Sequence, residues 1–323
     1  MTATTTEHRR RMTLAFRGMR YLVTGAAGFI GSQLLQTLLE RGHDVVGWDA
    51  FTDYYDPALK EENVRGLPVE RIDLAEDRLE LGGVDGVFHL AGQPGVSSFG
   101  DVFPVYVRQN VLASRRLFEA AAAAGARTVL ASSSSIYGDA ETYPTPEDAV
   151  PRPLSPYGIS KLACEHLAYA YGREFGLDYV VLRYFTIFGP RQRPDMGLAR
   201  MVACLVENRP FELYGDGTDS RSFTYVDDAV DASIRAMEGE SPRQTYNVGG
   251  GAEVSVLDAI EALGDIAGKR IELVRGPRRK GDSRRTAADT SRIHAETGWE
   301  PRTPFVEGLA AQWRWAADRV ATP

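Results

Sequence analysis

The order of elements predicted along this chain places it in the doubly wound α/β class, a parallel sheet covered by helices on both faces. Three observations carry that prediction. Short apolar runs of about five residues recur through the first half of the chain, as expected of strands buried on both sides. Segments with helical apolar spacing alternate with them. A glycine-rich turn joins the first run to the first helix, the place where this class binds its ligands.

The elements follow in order. Residues 20–24 form a short apolar strand, and 29–41 a helix with Ile30, Leu34, Leu35, Leu38 and Leu39 on its apolar side. Strands are predicted at 44–48, 69–72 and 86–90, a long helix at 102–125 and a strand at 128–132. A further helix spans 157–175 and a strand 179–184. The alanine run 120–124 lies in the long helix and marks a closely packed face. After Tyr184 the rhythm breaks at the Gly189–Pro194 loop, rich in Gly, Pro and Arg. The expected organisation is therefore a polar extension (1–19), a dinucleotide-binding domain (20–184, with late elements near 226–248) and a smaller domain built from 185–225 and 249–323.

Composition narrows the function classes. The net charge of -7 argues against a general nucleic-acid binder. The two cysteines, Cys164 and Cys204, have no redox or metal spacing and read as small buried hydrophobes. None of the 5 histidines pairs at ligand spacing, so no metal site is expected. No apolar run is long enough to span a membrane. The first nineteen residues lack the apolar core of a secretory signal, and a cytoplasmic protein is expected.

The chemistry concentrates in three places. Gly25, Gly28 and Gly31 bring backbone amides close to a pyrophosphate at the positive end of the first helix, where Phe29 and Ile30 begin it. Asp49 ends the second strand; a carboxylate there accepts from both ribose hydroxyls and repels a 2′-phosphate, which favours NAD over NADP. Asp73, beside Leu74 after the third strand, is read either as a turn residue or as an adenine contact. Tyr157 and Lys161 are four residues apart, on one helix face one turn apart. An ammonium beside a phenol stabilises the phenolate, which can then take a proton from a sugar hydroxyl.

Gly25–Gly31, Asp49, His89-Leu90-Ala91-Gly92, Asn110, the serine run and the Tyr157/Lys161 pair occur together and in order. In this the chain resembles the extended short-chain dehydrogenase/reductases, the group of nucleotide-sugar epimerases and dehydratases, from about residue 20 to about 307. The resemblance implies bound NAD contacted also by Leu90, Ala91, Gly92, Asn110 and Tyr184, a UDP-sugar substrate, and a homodimer built on helices 102–125 and 157–175. It implies that Arg193, Arg221, Arg279 and Asp282 hold the nucleotide sugar, a task suited to the planar fork of arginine. Taken alone, the arginine stretches would read as solvated loops.

The serine run, Ser132 to Ser135, points to the reaction. Ser133 matches the hydroxyl that orients the reacting sugar oxygen. Ser134 and Ser135 stand where 4,6-dehydratases carry an acid and a base, groups that serine cannot replace. Dehydration is thus disfavoured, and decarboxylation less strongly. Thr186 and the Asp53–Pro57 segment look most like bacterial UDP-glucuronate 4-epimerases, with C4 epimerisation through a 4-keto sugar as the implied activity. UDP-glucose or UDP-N-acetylglucosamine 4-epimerisation and UDP-glucuronate decarboxylation are the alternatives. One departure from the pattern is Gly92-Gln93-Pro94-Gly95, where alanine is expected at 92 or 94.

Overall fold

A computed structural model describes residues 18–95, 100–250, 253–278 and 283–321. Strands β1 (Arg20–Thr24), β2 (Asp44–Asp49), β3 (Val69–Arg71), β4 (Gly86–His89), β5 (Arg127–Ser133) and β6 (Tyr179–Tyr184) are joined late in the chain by β10 (Gln244–Val248). They form one parallel sheet in the order β3-β2-β1-β4-β5-β6-β10. The chain winds outward from β1 to β3, then returns to β4 on the other side of β1. The crevice opens at that reversal, above the carboxyl ends of the strands.

Alternation along each strand feeds two cores. Val23 and Phe88 face helices Phe29–Glu40 and Val226–Glu238, which bury Leu34, Leu35, Leu38 and Val230 against them. Leu22, Val87 and Leu130 face helices Ala113–Ala124 and Pro156–Glu174, which bury Leu117, Phe118, Ala121 and Cys164. Each leucine removed from water in this way contributes about 2 kcal/mol. Both cysteines are unpaired and buried.

The long helix expected at 102–125 is not continuous. A 3₁₀ turn (Gly100–Val102) and a short α-helix (Phe103–Tyr106) lead into a π-helical segment, Val107–Leu112, before Ala113–Ala124 resumes as α-helix and ends at Gly125 in the left-handed region. The cause lies at Asn110, whose buried side chain bonds the backbone of Gln93 and the Ser160 hydroxyl. A wide turn aims that side chain inward without unwinding the helix.

Most of the remaining elements build a smaller lobe, whereas helix Ser291–Thr297 packs on β10 and buries Ile293 in the first core. β7 (Thr186–Phe188), β9 (Ser220–Tyr225), β11 (Glu253–Ser255) and β13 (Arg285–Thr286) form one sheet; β8 (Phe211–Tyr214) and β12 (Leu273–Gly276) form another. A third core holds them, with Leu198, Met201 and Leu205 of helix Gly197–Val206, Leu263 of helix Val256–Ala267 and Leu309 of helix Phe305–Ala321. No described helix is long and apolar enough to cross a membrane.

Candidate active site

A cavity of about 690 Å³ runs from the first glycine turn, past Tyr157, to the smaller lobe. It is lined by Gly25, Gly28, Phe29, Ile30 and Gly31 at one end and by Phe211, Tyr214 and Arg221 at the other.

The glycines are dictated by close approach. Gly25 has φ +69°, and a Cβ there would sit 2.7 Å from the Ala91 nitrogen. A Cβ on Gly31 would lie 2.1 Å from the Gly25 carbonyl oxygen. The turn therefore packs flat on β4's exit while helix Phe29–Glu40 starts with its amides facing the cavity, an arrangement that can hold a pyrophosphate. Asp49 accepts hydrogen bonds from Ala27 N (3.0 Å) and Phe51 N (2.7 Å). A carboxylate offers about four acceptor positions, so capacity remains for ribose hydroxyls. These residues fit NAD.

Behind the cavity, His89 is wholly buried between Thr24 Oγ1 (2.8 Å) and Ser114 Oγ (2.9 Å). Burial, together with the nearby Lys161 charge, pushes its pKa down to about 3, so the ring stays neutral. Leu90, Ala91, Gly92 and Gln93 continue the wall. The departure at Gly92 has a steric cause: a Cβ would meet Asn110 Oδ1 at 2.8 Å and Lys161 Nζ at 3.3 Å. Asn110 itself stands behind the wall. Its Oδ1 accepts from Gln93 N (2.6 Å), and its Nδ2 donates to Gln93 O (3.0 Å) and Ser160 Oγ (2.8 Å), bracing the 92–93 segment.

Tyr157 and Lys161 lie on helix Pro156–Glu174, capped by Ser155, whose hydroxyl accepts from Gly158 N. Lys161 Nζ is 6.0 Å from the centre of the Tyr157 ring and donates to the Ala131 carbonyl at 2.9 Å. Opposite stands the serine edge. Ser133 Oγ accepts from Ser135 N and donates to Ser135 Oγ, both at 3.1 Å, and Ser134 begins the 3₁₀ turn Ser134–Ile136. Ser133, Ser134, Ser135, Tyr184 and Thr186 all line the same cavity. Burial pushes the Tyr184 phenol up to about 12, and it shares a 2.7 Å hydrogen bond with Ser233.

The arginines divide. Arg193 lines the cavity and pairs with Asp195 (3.0 Å), which also accepts from the Tyr54 hydroxyl (3.1 Å). Arg221 lines it too, braced by donation to the Ser220 carbonyl. Arg279 and Asp282 lie outside the described residues. Leu74 reaches the cavity wall, whereas Asp73 is not among the lining residues. Its carboxylate accepts from Arg108 (2.8 Å) and from Ala75 N (2.9 Å), the turn geometry that the sequence also allowed.

Lys60 is among several lining residues that the sequence alone does not mark. Lys60 is buried beside Asp49, donates to the Thr52 carbonyl (2.6 Å) and lies 4.7 Å from the centre of the Tyr55 ring. Burial lowers its pKa. It lies on helix Pro57–Asn63, followed by Glu61 and Glu62, so its sequence surroundings do not mark it as buried.

Known proteins agree with this geometry. Residues 21–249 match the NAD dependent epimerase/dehydratase family. YtcB of Bacillus subtilis, an uncharacterized UDP-glucose epimerase, is 39% identical over 304 residues, 90% of this chain and 96% of YtcB. The UDP-glucuronate 4-epimerase of Thermodesulfobacterium geofontis is 35% identical over 314 residues, 93% of this chain and 97% of that protein. The crystal structure of UDP-glucuronic acid 4-epimerase from Bacillus cereus, in complex with UDP-glucuronic acid and NAD, superposes with a TM-score of 0.90 at 37% identity, covering 93% of this chain and 100% of that one. The chain belongs to the NAD dependent epimerase/dehydratase family and is an NAD-dependent enzyme.

Proposed function

We propose that this UDP-sugar 4-epimerase converts UDP-glucuronate to UDP-galacturonate through a 4-keto sugar, without loss of CO₂. The observation that carries the reading is the cavity wall around Tyr157. It offers the hydroxyls of Ser133, Ser134, Ser135 and Thr186, and its nearby carboxylate, Asp195, is engaged by Arg193 and Tyr54. The other acidic residues lining the cavity are engaged as well, Asp49 by two backbone N–H groups, Glu212 by the Tyr214 hydroxyl and Asp219 by Arg278, which disfavours the proton transfers of a dehydration.

Bound NAD would supply reversible hydride transfer at C4 of the sugar. Tyr157 takes the C4 hydroxyl proton as the carbon is oxidised and gives it back on reduction. Lys161 stabilises the phenolate, and Ser133 donates to the C4 oxygen to orient it. Gly25, Gly28 and Gly31 hold the pyrophosphate with the helix amides that Phe29 and Ile30 begin, Asp49 the adenosine ribose, and Leu74 the adenine. Leu90, Ala91, Gly92 and Tyr184 frame the nicotinamide side, with Asn110 bracing Gly92 and Gln93 from behind. Arg193 and Arg221, with Arg279 and Asp282, take the nucleotide diphosphate and ribose.

Oxidation at C4 makes a β-keto acid. It loses CO₂ readily when the C5 carboxylate bond lies parallel to the carbonyl π system. Ser134, Ser135 and Thr186 hold the carboxylate away from that alignment by neutral hydrogen bonds. We infer a homodimer as well, supported by the exposed apolar side chains Phe103, Val107 and Leu112 on one helical stretch and Ile159, Tyr169 and Phe175 on and just after helix Pro156–Glu174.

The test is a parallel assay of purified protein with UDP-glucuronate, UDP-glucose and UDP-N-acetylglucosamine, with products followed by NMR. UDP-galacturonate as main product from UDP-glucuronate is expected. A UDP-pentose as main product, or turnover of the neutral sugars alone, overturns the uronate assignment.

A further inference from the structure

A row of polar side chains crosses the sheet one residue below the reacting edge. Ser132 of β5, Arg183 of β6 and Asn247 of β10 are direct partners in the strand register. They therefore share a face, while Ser133 and Tyr184, the next residues, point to the other. Three buried polar residues in line at the carboxyl ends of central strands need partners, and they have them. Glu165 accepts from the Ser132 hydroxyl and from Arg183 Nη2 at 2.8 Å, with Arg183 Nε also donating at 3.1 Å. Arg183 Nη1 donates to the Tyr137 hydroxyl (2.8 Å) and to the Glu147 carbonyl (2.7 Å). The Tyr137 hydroxyl donates in turn to Asn247 Oδ1 at 2.7 Å. Both members of the Glu165–Arg183 pair are 9% exposed.

Glu165 also sits on the helix that carries Tyr157 and Lys161, at successive positions one turn apart on one face. Lys161 ties that helix to Ala131, and Glu165 ties it to Ser132, so two consecutive residues of β5 receive two consecutive turns. The residue after them is Ser133. A buried ion pair adds little net stability, because desolvation offsets attraction, yet it fixes geometry strongly. We propose that Glu165 and Arg183 are positioning residues: together they set the height and rotation of the Tyr157 helix against β5, and thereby the separation of Tyr157 and Lys161 from Ser133. This rests on the roles given to Tyr157 and Ser133, not on the choice of uronate as substrate.

The experiment compares the NAD-loaded wild type with Glu165→Gln, Glu165→Asp and the double variant Glu165→Gln/Arg183→Met. Each is assayed on whichever UDP-sugar the wild type turns over best, unlabelled and deuterated at C4. Glu165→Gln is expected to lower kcat about 10- to 100-fold, the cost of small misplacements of reacting groups. KM and bound NAD stay near the wild-type values, the isotope effect on kcat grows, and Glu165→Asp recovers part of the loss. The double variant removes both charges, so no unpaired ion is left to unfold the protein, and it remains slow. Wild-type-like kcat in the folded double variant overturns the proposal. So does a loss of kcat that merely tracks loss of bound NAD, with an unchanged isotope effect. A wild type active only on neutral sugars refutes the uronate reading while leaving this comparison intact.

Discussion

The two ends of the cavity are built by different means. The cofactor end is made mostly of backbone: Gly25 and Gly31 leave no room for a Cβ, and the Asp49 carboxylate is held by two main-chain N–H groups. The sugar end is made of side chains from distant segments, with Ser133–Ser135 after β5, Thr186 in β7, Arg193 in a loop and Arg221 in β9. Backbone shape tolerates no substitution at a few positions. A side-chain wall tolerates many, each altering which sugar fits or what becomes of it. That contrast matches a family whose members share a cofactor and differ in product.

The sharpest way to separate the ends is Tyr157→Phe. It should lower kcat by about 10²- to 10⁴-fold, the range of acid–base catalysis, while bound NAD, read by absorbance after denaturation, stays at the wild-type level. Full activity in this variant would remove the mechanism. Gly31→Ala should do the reverse. The added methyl meets the Gly25 carbonyl, destabilising the turn by about 1–3 kcal/mol and lowering NAD content, measured by calorimetry and NAD release. An NAD-replete variant with wild-type melting would break the backbone account of the cofactor end.

A smaller effect comes from His89, which lies behind both ends. Its folded-state pKa of about 3 is below the ordinary value near 6.5, so the unfolded chain binds the extra proton between those values. Its contribution to stability is complete above about pH 6.5 and is lost as pH falls toward 3. His89→Asn should flatten the slope of melting temperature against pH in that window; an unchanged slope would show that carboxylates alone set it. Least of all should follow from Asp73→Ala. The half-exposed pair with Arg108 is worth about 1 kcal/mol at most, and NAD affinity should change by less than about twofold, measured by titration of the apoprotein. A tenfold loss would restore Asp73 as an adenine contact.

The sequence revealed the cofactor end well because its determinants are local. A glycine turn, a strand-end aspartate and a helical Tyr/Lys pair each lie within a few residues, at spacings set by one element. The parallel sheet follows from the same alternation of elements, whereas the order of its strands does not. Less legible were features that depend on two distant segments meeting. Lys60 matters because the loop after β2 folds beside Asp49, and Glu165 because β5 and β6 present Ser132 and Arg183 to it in register. The break in helix 102–125 was hidden for the same reason: periodicity shows an apolar face, not one inward asparagine bonded to a loop seventeen residues earlier. Gly92 looked like a departure from pattern until Asn110 and Lys161 were seen to fill the space of its absent side chain.

The π-helical turn Val107–Leu112 joins an exposed apolar surface to the cofactor wall through a single stretch of backbone. A π turn holds one residue more than an α turn. Deleting one residue there would restore regular α-helical geometry with Ala113–Ala124 still in register with the core, and what would be lost is the inward aim of Asn110. A single-codon deletion there would thus spare the helix and cost the cofactor wall its brace.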